Sequence, residues 1–222
     1  MKFFLLFIIT SLQFTFAQTD SILVDDFSDF LNVSADFYTS PLRFDSEDWI
    51  KISAVLGITA VASIADKEVR TFSQNNQSNF ADNLFSIDKY YYVEFMGASV
   101  IAFYGYGLIA ENNKIRRLAV KLTEAAFLST SLTLITKTII GRGRPYVQES
   151  QYSFNPFTFD NDYNSFPSGH TTLAFAYSTV MANEVDNVFW KIGWYSLAGL
   201  VGYARIYNNQ HWFSDVLMGA AI

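Results

Sequence analysis

Six stretches of the chain are dense in Ala, Leu, Ile, Gly and aromatic residues, and none alternates polar with apolar positions as a half-buried strand does. Five cover residues 50–65, 93–110, 118–140, 171–183 and 188–205; the sixth begins near Trp212 and is still apolar at Ile222. This pattern predicts helices throughout, hence an all-α bundle of about six helices over residues 46–222, the last one cut short. Two polar connections separate them. Residues 71–92, rich in Asn, Gln and Ser, read as a surface loop, and residues 141–169 as a long functional connection. Residues 18–45 are mixed and polar, with Pro41 set against one long helix, and read as an exposed arm or short irregular elements. Ahead of them, Lys2 precedes a mostly apolar run from Phe3 to Phe16, and Thr15-Phe16-Ala17 offers a cut after Ala17. Residues 1–17 therefore read as an export signal; the alternative, an uncleaved anchor, is short for a spanning helix.

Composition leaves two settings open. Half the residues are hydrophobic, 18% are aromatic and only 16% are charged, which fits a tightly packed helical domain or a membrane protein. Lys51, Lys121, Glu124, Lys137 and Lys191 fall inside the apolar stretches, and charge inside a membrane is costly. Aromatic residues near the segment ends (Tyr90, Tyr91, Tyr92, Trp190, Trp194, Trp212) favour a membrane interface. The net charge of −6 argues against nucleic acid as a partner, although a local cluster of cations can still bind an anion. With no cysteine, disulfides, thiolate catalysis and sulfur-ligated zinc are excluded. With two histidines, a multi-histidine metal site is not expected, while carboxylates alone suit magnesium or calcium.

The candidate chemistry lies in three clusters at the edges of apolar segments. In Lys137-Thr138-Ile139-Ile140-Gly141-Arg142-Gly143-Arg144-Pro145, Lys137 sits on the last turn of a helix, Gly141 suits its C-cap, and Pro145 stops the helix from resuming. Arg binds phosphate oxygens in pairs, though cations also favour any helix C-terminus. In Ser165-Phe166-Pro167-Ser168-Gly169-His170, Ser168 is placed to cap the next helix, whose first N–H groups form an anion site, and Gly169 lets a ligand approach the backbone. In Arg205-Ile206-Tyr207-Asn208-Asn209-Gln210-His211-Trp212-Phe213-Ser214-Asp215, His211 and Asp215 are four apart and on a helix would share one face. A carboxylate on one imidazole nitrogen fixes the tautomer and leaves the other free to attack. Each histidine alone also fits a structural role.

The order Lys-x6-Arg-Pro, Pro-Ser-Gly-His, Arg-x5-His-x3-Asp resembles the type 2 phosphatidic acid phosphatase superfamily, which also contains bacterial acid phosphatases and vanadium haloperoxidases. The resemblance covers about residues 90–222, with Ala204 where the family usually has Ser. It implies an all-α fold with the site at one end of a four-helix core. It also implies that His211 is the nucleophile, Asp215 its partner, and His170 the general acid. Lys137, Arg144, Ser168, the Gly169 backbone and Arg205 would bind phosphate, with no metal or other cofactor, and Arg142 has no catalytic role. The expected activity is hydrolysis of a phosphate monoester or pyrophosphate, with a lipid as the substrate class, on the extracytoplasmic side of a membrane. The alternatives are a vanadium-dependent haloperoxidase and a non-enzymatic membrane protein. Substrate choice would come from residues 71–92 and 146–164 at the entrance.

Overall fold

The computed structural model describes residues 2–91, 93–147 and 150–222, with side chains from residue 21 onward. It is all-α, with no β-strand among the described residues. The helices are α1 (Lys2–Thr39), α2 (Ser46–Ala62), α3 (Asp66–Asn75), α4 (Asn79–Leu84), α5 (Ile87–Tyr90), α6 (Val93–Ile109), α7 (Asn113–Ile140), α8 (Gly169–Asn183), α9 (Val188–Tyr207) and α10 (Phe213–Ala221).

Local chemistry sets the boundaries. Asp45 accepts the N–H groups of Glu47 and Asp48 and starts α2. Asn112 caps α7 through Ile115, and Asn187 caps α9 through Phe189 and Trp190. At the far end of α7, Gly141 takes the left-handed conformation (φ 57°), and a Cβ there would lie 1.9 Å from the Asn155 carbonyl oxygen. Only glycine turns the chain out of α7 and into the first motif.

Helices α6 to α9 form the core. Met96, Leu122, Leu173, Ala174, Tyr177, Met181, Ala198 and Val201 are buried against one another. Helix α10 packs on α8 and α2. Apolar side chains also cover much of the outside, including Ile58 and Val61 on α2, Leu134 and Ile135 on α7, and Phe189 and Ile192 on α9. Two helical stretches, Ser46–Asn75 and Asn113–Ile140, are long and apolar enough to cross a membrane, or three if the bent pair Asn79–Tyr90 and Val93–Ile109 forms one span.

Two sequence expectations are corrected. Residues 18–39 are helical, and α1 ends two residues before Pro41 rather than being broken throughout. The helix docks on α7, where Asp26 pairs with Arg116 and also accepts the Tyr104 hydroxyl at 2.8 Å. Residues 71–90 are largely helical too, from the end of α3 through α5, because polar side chains bind them to the end of α9. Gln74 donates to the Tyr207 carbonyl at 3.0 Å, and the Tyr207 hydroxyl donates to Asp82 at 2.5 Å.

The Asp26–Arg116 pair is buried on both sides (8% and 9% exposed side chains), so removing one partner strands the other charge. Asp26→Ala is expected to cost about 3–5 kcal/mol, read as a lower melting temperature of the purified protein. The double change Asp26→Ala with Arg116→Met should recover most of that loss.

Candidate active site

The three motifs meet at one end of the core. A cavity of about 240 Å³ is lined there by Lys137, Arg144, Gly169, His170, Arg205 and His211, with Val93, Thr130, Thr133, Leu134, Asn164 and Leu173. Lys137 comes from the last turn of α7, His170 from the first turn of α8, and Arg205 from the last turn of α9. Arg144 and His211 come from the loops that follow α7 and α9.

The cations divide into two kinds. Arg205 donates to Asp88 at 2.6 Å, and this buried carboxylate of α5 fixes one edge of its guanidinium. Lys137 donates to the carbonyl of Asn164 at 2.6 Å, and Arg144 to the carbonyl of Asn161 at 2.9 Å. Among the described residues neither Lys137 nor Arg144 has a carboxylate within ion-pair distance. Carbonyls orient these side chains without neutralising them, which leaves positive charge for an anion.

The loop after α9 closes tightly, with Gln210 N–H and His211 N–H both donating to the Arg205 carbonyl (2.9 and 3.2 Å). His211 precedes α10, and Asp215 lies in that helix's first turn. The pair therefore meets across a capping turn rather than along one helical face, at 3.6 Å from Nδ1 to the carboxylate. That is longer than a hydrogen bond, and Nδ1 has no other partner among the described residues; catalytic hydrogen bonds are often this long before substrate binds. Asp215 itself is fully buried. Its Oδ2 accepts the Ser165 hydroxyl at 2.5 Å and the Trp212 N–H at 2.9 Å, and its Oδ1 accepts Arg142 at 2.7 Å.

Ser168 occupies the N-cap position of α8 but makes no side-chain cap bond. Its hydroxyl accepts from Thr171 at 2.8 Å, its N–H donates to the Asp215 carbonyl at 3.0 Å, and its side chain is fully buried. It joins the second and third motifs, and Gly169 and His170 form the cavity wall beside it. Ala204 is fully buried within α9.

Gln74, Asp82 and Asp88, from the stretch ahead of α6, hold Arg205 and Tyr207 from behind. Asp66 and Asp88 are not legible as site residues, and Arg142 and Ser165, inside the first two clusters, carry no sign in the sequence of their contact with Asp215. Arg142 turns away from the cavity, and the acids lie in stretches without a recognisable motif.

Both imidazoles are held neutral. Burial, then the charges of Arg205, Arg144 and Lys137, push His170 down to about 3. Burial, then Lys137, Arg144 and Arg205, hold His211 well below the usual histidine range. A neutral His211 has a lone pair to offer, and an anion in the cavity would restore a proton to His170. Nitrogen-15 spectra of labelled histidine should therefore show His170 unprotonated at pH 5, where a free imidazole is charged. Phosphate or vanadate should raise its titration midpoint by more than about one unit.

Residues 118–222 match the PAP2 superfamily. The chain is 42% identical over 79 residues to a lipid A 1-phosphatase of Porphyromonas gingivalis, across 34% of this chain and 18% of that protein. It is 26% identical over 119 residues to a putative undecaprenyl-diphosphatase of Escherichia coli, across 51% of this chain and 54% of that protein. The matches thus span from about a fifth to about half the length of these curated relatives. Among solved structures, the fold is similar to that of LpxE from Aquifex aeolicus, with a TM-score of 0.53, 26% identity, and coverage of 70% of this chain and 88% of that one. Motifs, fold and relatives agree, and residues 118–222 of the chain belong to the PAP2 superfamily.

Proposed function

We propose that this chain is a lipid phosphate phosphatase that works through a phosphohistidine. One observation carries this reading. The cationic cavity holding both histidines shares Val93, Thr130, Leu134 and Leu173 with a second, apolar cleft of about 470 Å³ between α6 and α7. A charged head and an apolar tail have adjoining places. Phosphate esters or diphosphates of lipids fit this shape, in line with relatives named for lipid A and undecaprenyl diphosphate. With residues 1–17 serving as an export signal, the site faces the extracytoplasmic side.

Nε2 of His211 attacks phosphorus while Lys137, Arg144, Arg205 and the first N–H groups of α8 hold the other phosphate oxygens. The bond from phosphorus to the lipid oxygen breaks, and His170 gives that oxygen its proton. Water then attacks the phosphohistidine, His170 takes the water's proton, and inorganic phosphate leaves. Roles for Ser168 and Asp215 are indirect: both hold the backbone and ring that do the work.

The test is phosphate release from long-chain lipid phosphates by the detergent-solubilised protein, with trapping of a base-stable, acid-labile phosphoprotein. Absence of both across lipid and soluble phosphates would leave a non-enzymatic membrane protein. Gly97 gives a second check, because it lines the apolar cleft and a Cβ there would meet nothing within 4 Å. Gly97→Phe should fill the cleft and raise KM for a long-chain substrate by about tenfold or more, a penalty of roughly 1.4 kcal/mol. KM for a short soluble ester should stay unchanged.

A further inference from the structure

Asp66 opens α3, lies 76 positions from Arg142 in sequence, and falls outside residues 118–222 that match the superfamily. Its side chain is fully buried, a costly place for a carboxylate unless every oxygen is bonded. Both oxygens are. Oδ1 accepts the Ser214 N–H at 2.8 Å, and Oδ2 accepts the Ser214 hydroxyl and Arg142 Nη2, each at 2.7 Å. Asp66 thereby caps the first turn of α10 from a different helix.

Arg142 completes the link. Nη1 donates to the Ser214 hydroxyl and to Asp215 Oδ1, both at 2.7 Å. Nη2 donates to Asp66 and to the Gln151 carbonyl, and Nε also donates to that carbonyl at 3.0 Å. These contacts use all five N–H bonds of the guanidinium, so nothing is left for a phosphate. The break between α2 and α3 at Ser63–Ala65 sets Asp66 in place, and the Gln151 side chain secures that break by donating to the Ser63 carbonyl at 2.9 Å.

We propose that Asp66, acting through Arg142, is a positioning residue for phosphoryl transfer: it fixes Asp215 so that His211 stays in its Nδ1–H tautomer with Nε2 free to attack. This rests on the phosphatase reading. Two carboxylates grip the Arg142 fork from opposite sides. Without Asp66 the guanidinium is held by Asp215, the Ser214 hydroxyl and one carbonyl, and as it shifts it can turn the Asp215 carboxylate out of line with the imidazole. Ser165 and Trp212 hold Oδ2, the oxygen that faces His211 Nδ1, while Arg142 holds Oδ1, so the plane of the carboxylate, and with it the lone-pair direction that Oδ2 presents to the imidazole, depends on Arg142.

The experiment compares the full-length wild type with Asp66→Asn in detergent. Steady-state kinetics are measured on one lipid phosphate and one short soluble ester, and nitrogen-15 spectra on labelled histidine, of which the chain has only two. The expected result is a kcat about 10- to 100-fold lower for both substrates, with KM within about threefold, as for other residues that orient a catalytic histidine. The His211 resonances should shift from the Nδ1–H toward the Nε2–H pattern. An unchanged kcat and tautomer in folded Asp66→Asn overturn the proposal, as does a change confined to KM. If Asp66→Asn gives no cooperative melt, Ser214→Ala makes the same comparison. It removes the bridging hydroxyl, keeps both charges, and should give a smaller shift in the same direction. A wild type that releases no phosphate defeats the phosphatase reading separately, while the tautomer comparison still decides whether Asp66 positions His211.

Discussion

His211→Ala is expected to abolish phosphate release, with kcat down on the order of 10⁴-fold or more, the scale seen when a nucleophile is deleted. The residue is 3% exposed and lines the cavity with Lys137, Arg144 and Arg205. No other described side chain on that wall offers a neutral nitrogen beside Asp215. The variant should still bind vanadate or phosphate weakly, because the three cations remain, and should melt as a folded protein. Near-normal turnover in such a folded variant would remove the phosphohistidine from the mechanism. Binding that vanishes together with turnover would point to collapse of the cavity instead, so both quantities need measuring.

The second large effect belongs to His170, and it should depend on the leaving group. An alkyl oxygen departs as a strongly basic alkoxide unless a proton reaches it, whereas a nitrophenolate departs unaided. His170→Ala should therefore lower kcat about 10²- to 10⁴-fold for a lipid or alkyl phosphate, the range for general acid catalysis. For p-nitrophenyl phosphate the first step should change only a few-fold. Burst kinetics on that aryl ester separate the steps: the phosphoenzyme should form rapidly and then persist, because water no longer has a base. Equal losses for both esters in the first step would show that His170 binds phosphate instead of donating a proton. The low titration midpoint of about 3 fits the acid role only because substrate brings charge with it. Burial, and then the three cations, disfavour the proton on His170; a bound phosphate brings negative charge that offsets both.

The apolar runs located α2 and α6 to α10 because burial or lipid contact requires long apolar helices wherever they occur. Their ends were less visible. Helix α7 starts at Asn113, about one turn ahead of the apolar run, because Asn112 caps a first turn made of Lys114, Arg116 and other polar residues. Helices α3 to α5 escaped detection for a related reason. Gln74, Asp82 and Asp88 read as loop residues in isolation, yet each is fixed by a partner near Tyr207. No local pattern encodes a partner more than a hundred positions away. The motif residues that line the cavity were legible as a set because spacing and helix ends placed them together. Arg142 and Arg144 stand two apart with the same chemistry, and only the fold reveals that one is saturated by acids and carbonyls while the other keeps a free face.

The carboxylate of Asp215 also accepts the Trp212 N–H and so starts the last helix. A single group thus serves as helix cap and as neighbour of the reacting imidazole. Fraying of α10 and loss of the reactive tautomer become one event, with a shared free energy of opening. Hydrogen exchange at the Trp212 amide then works as a gauge of catalytic competence: any membrane composition, ligand or remote substitution that speeds its exchange should depress turnover in proportion, without touching the phosphate-binding cations.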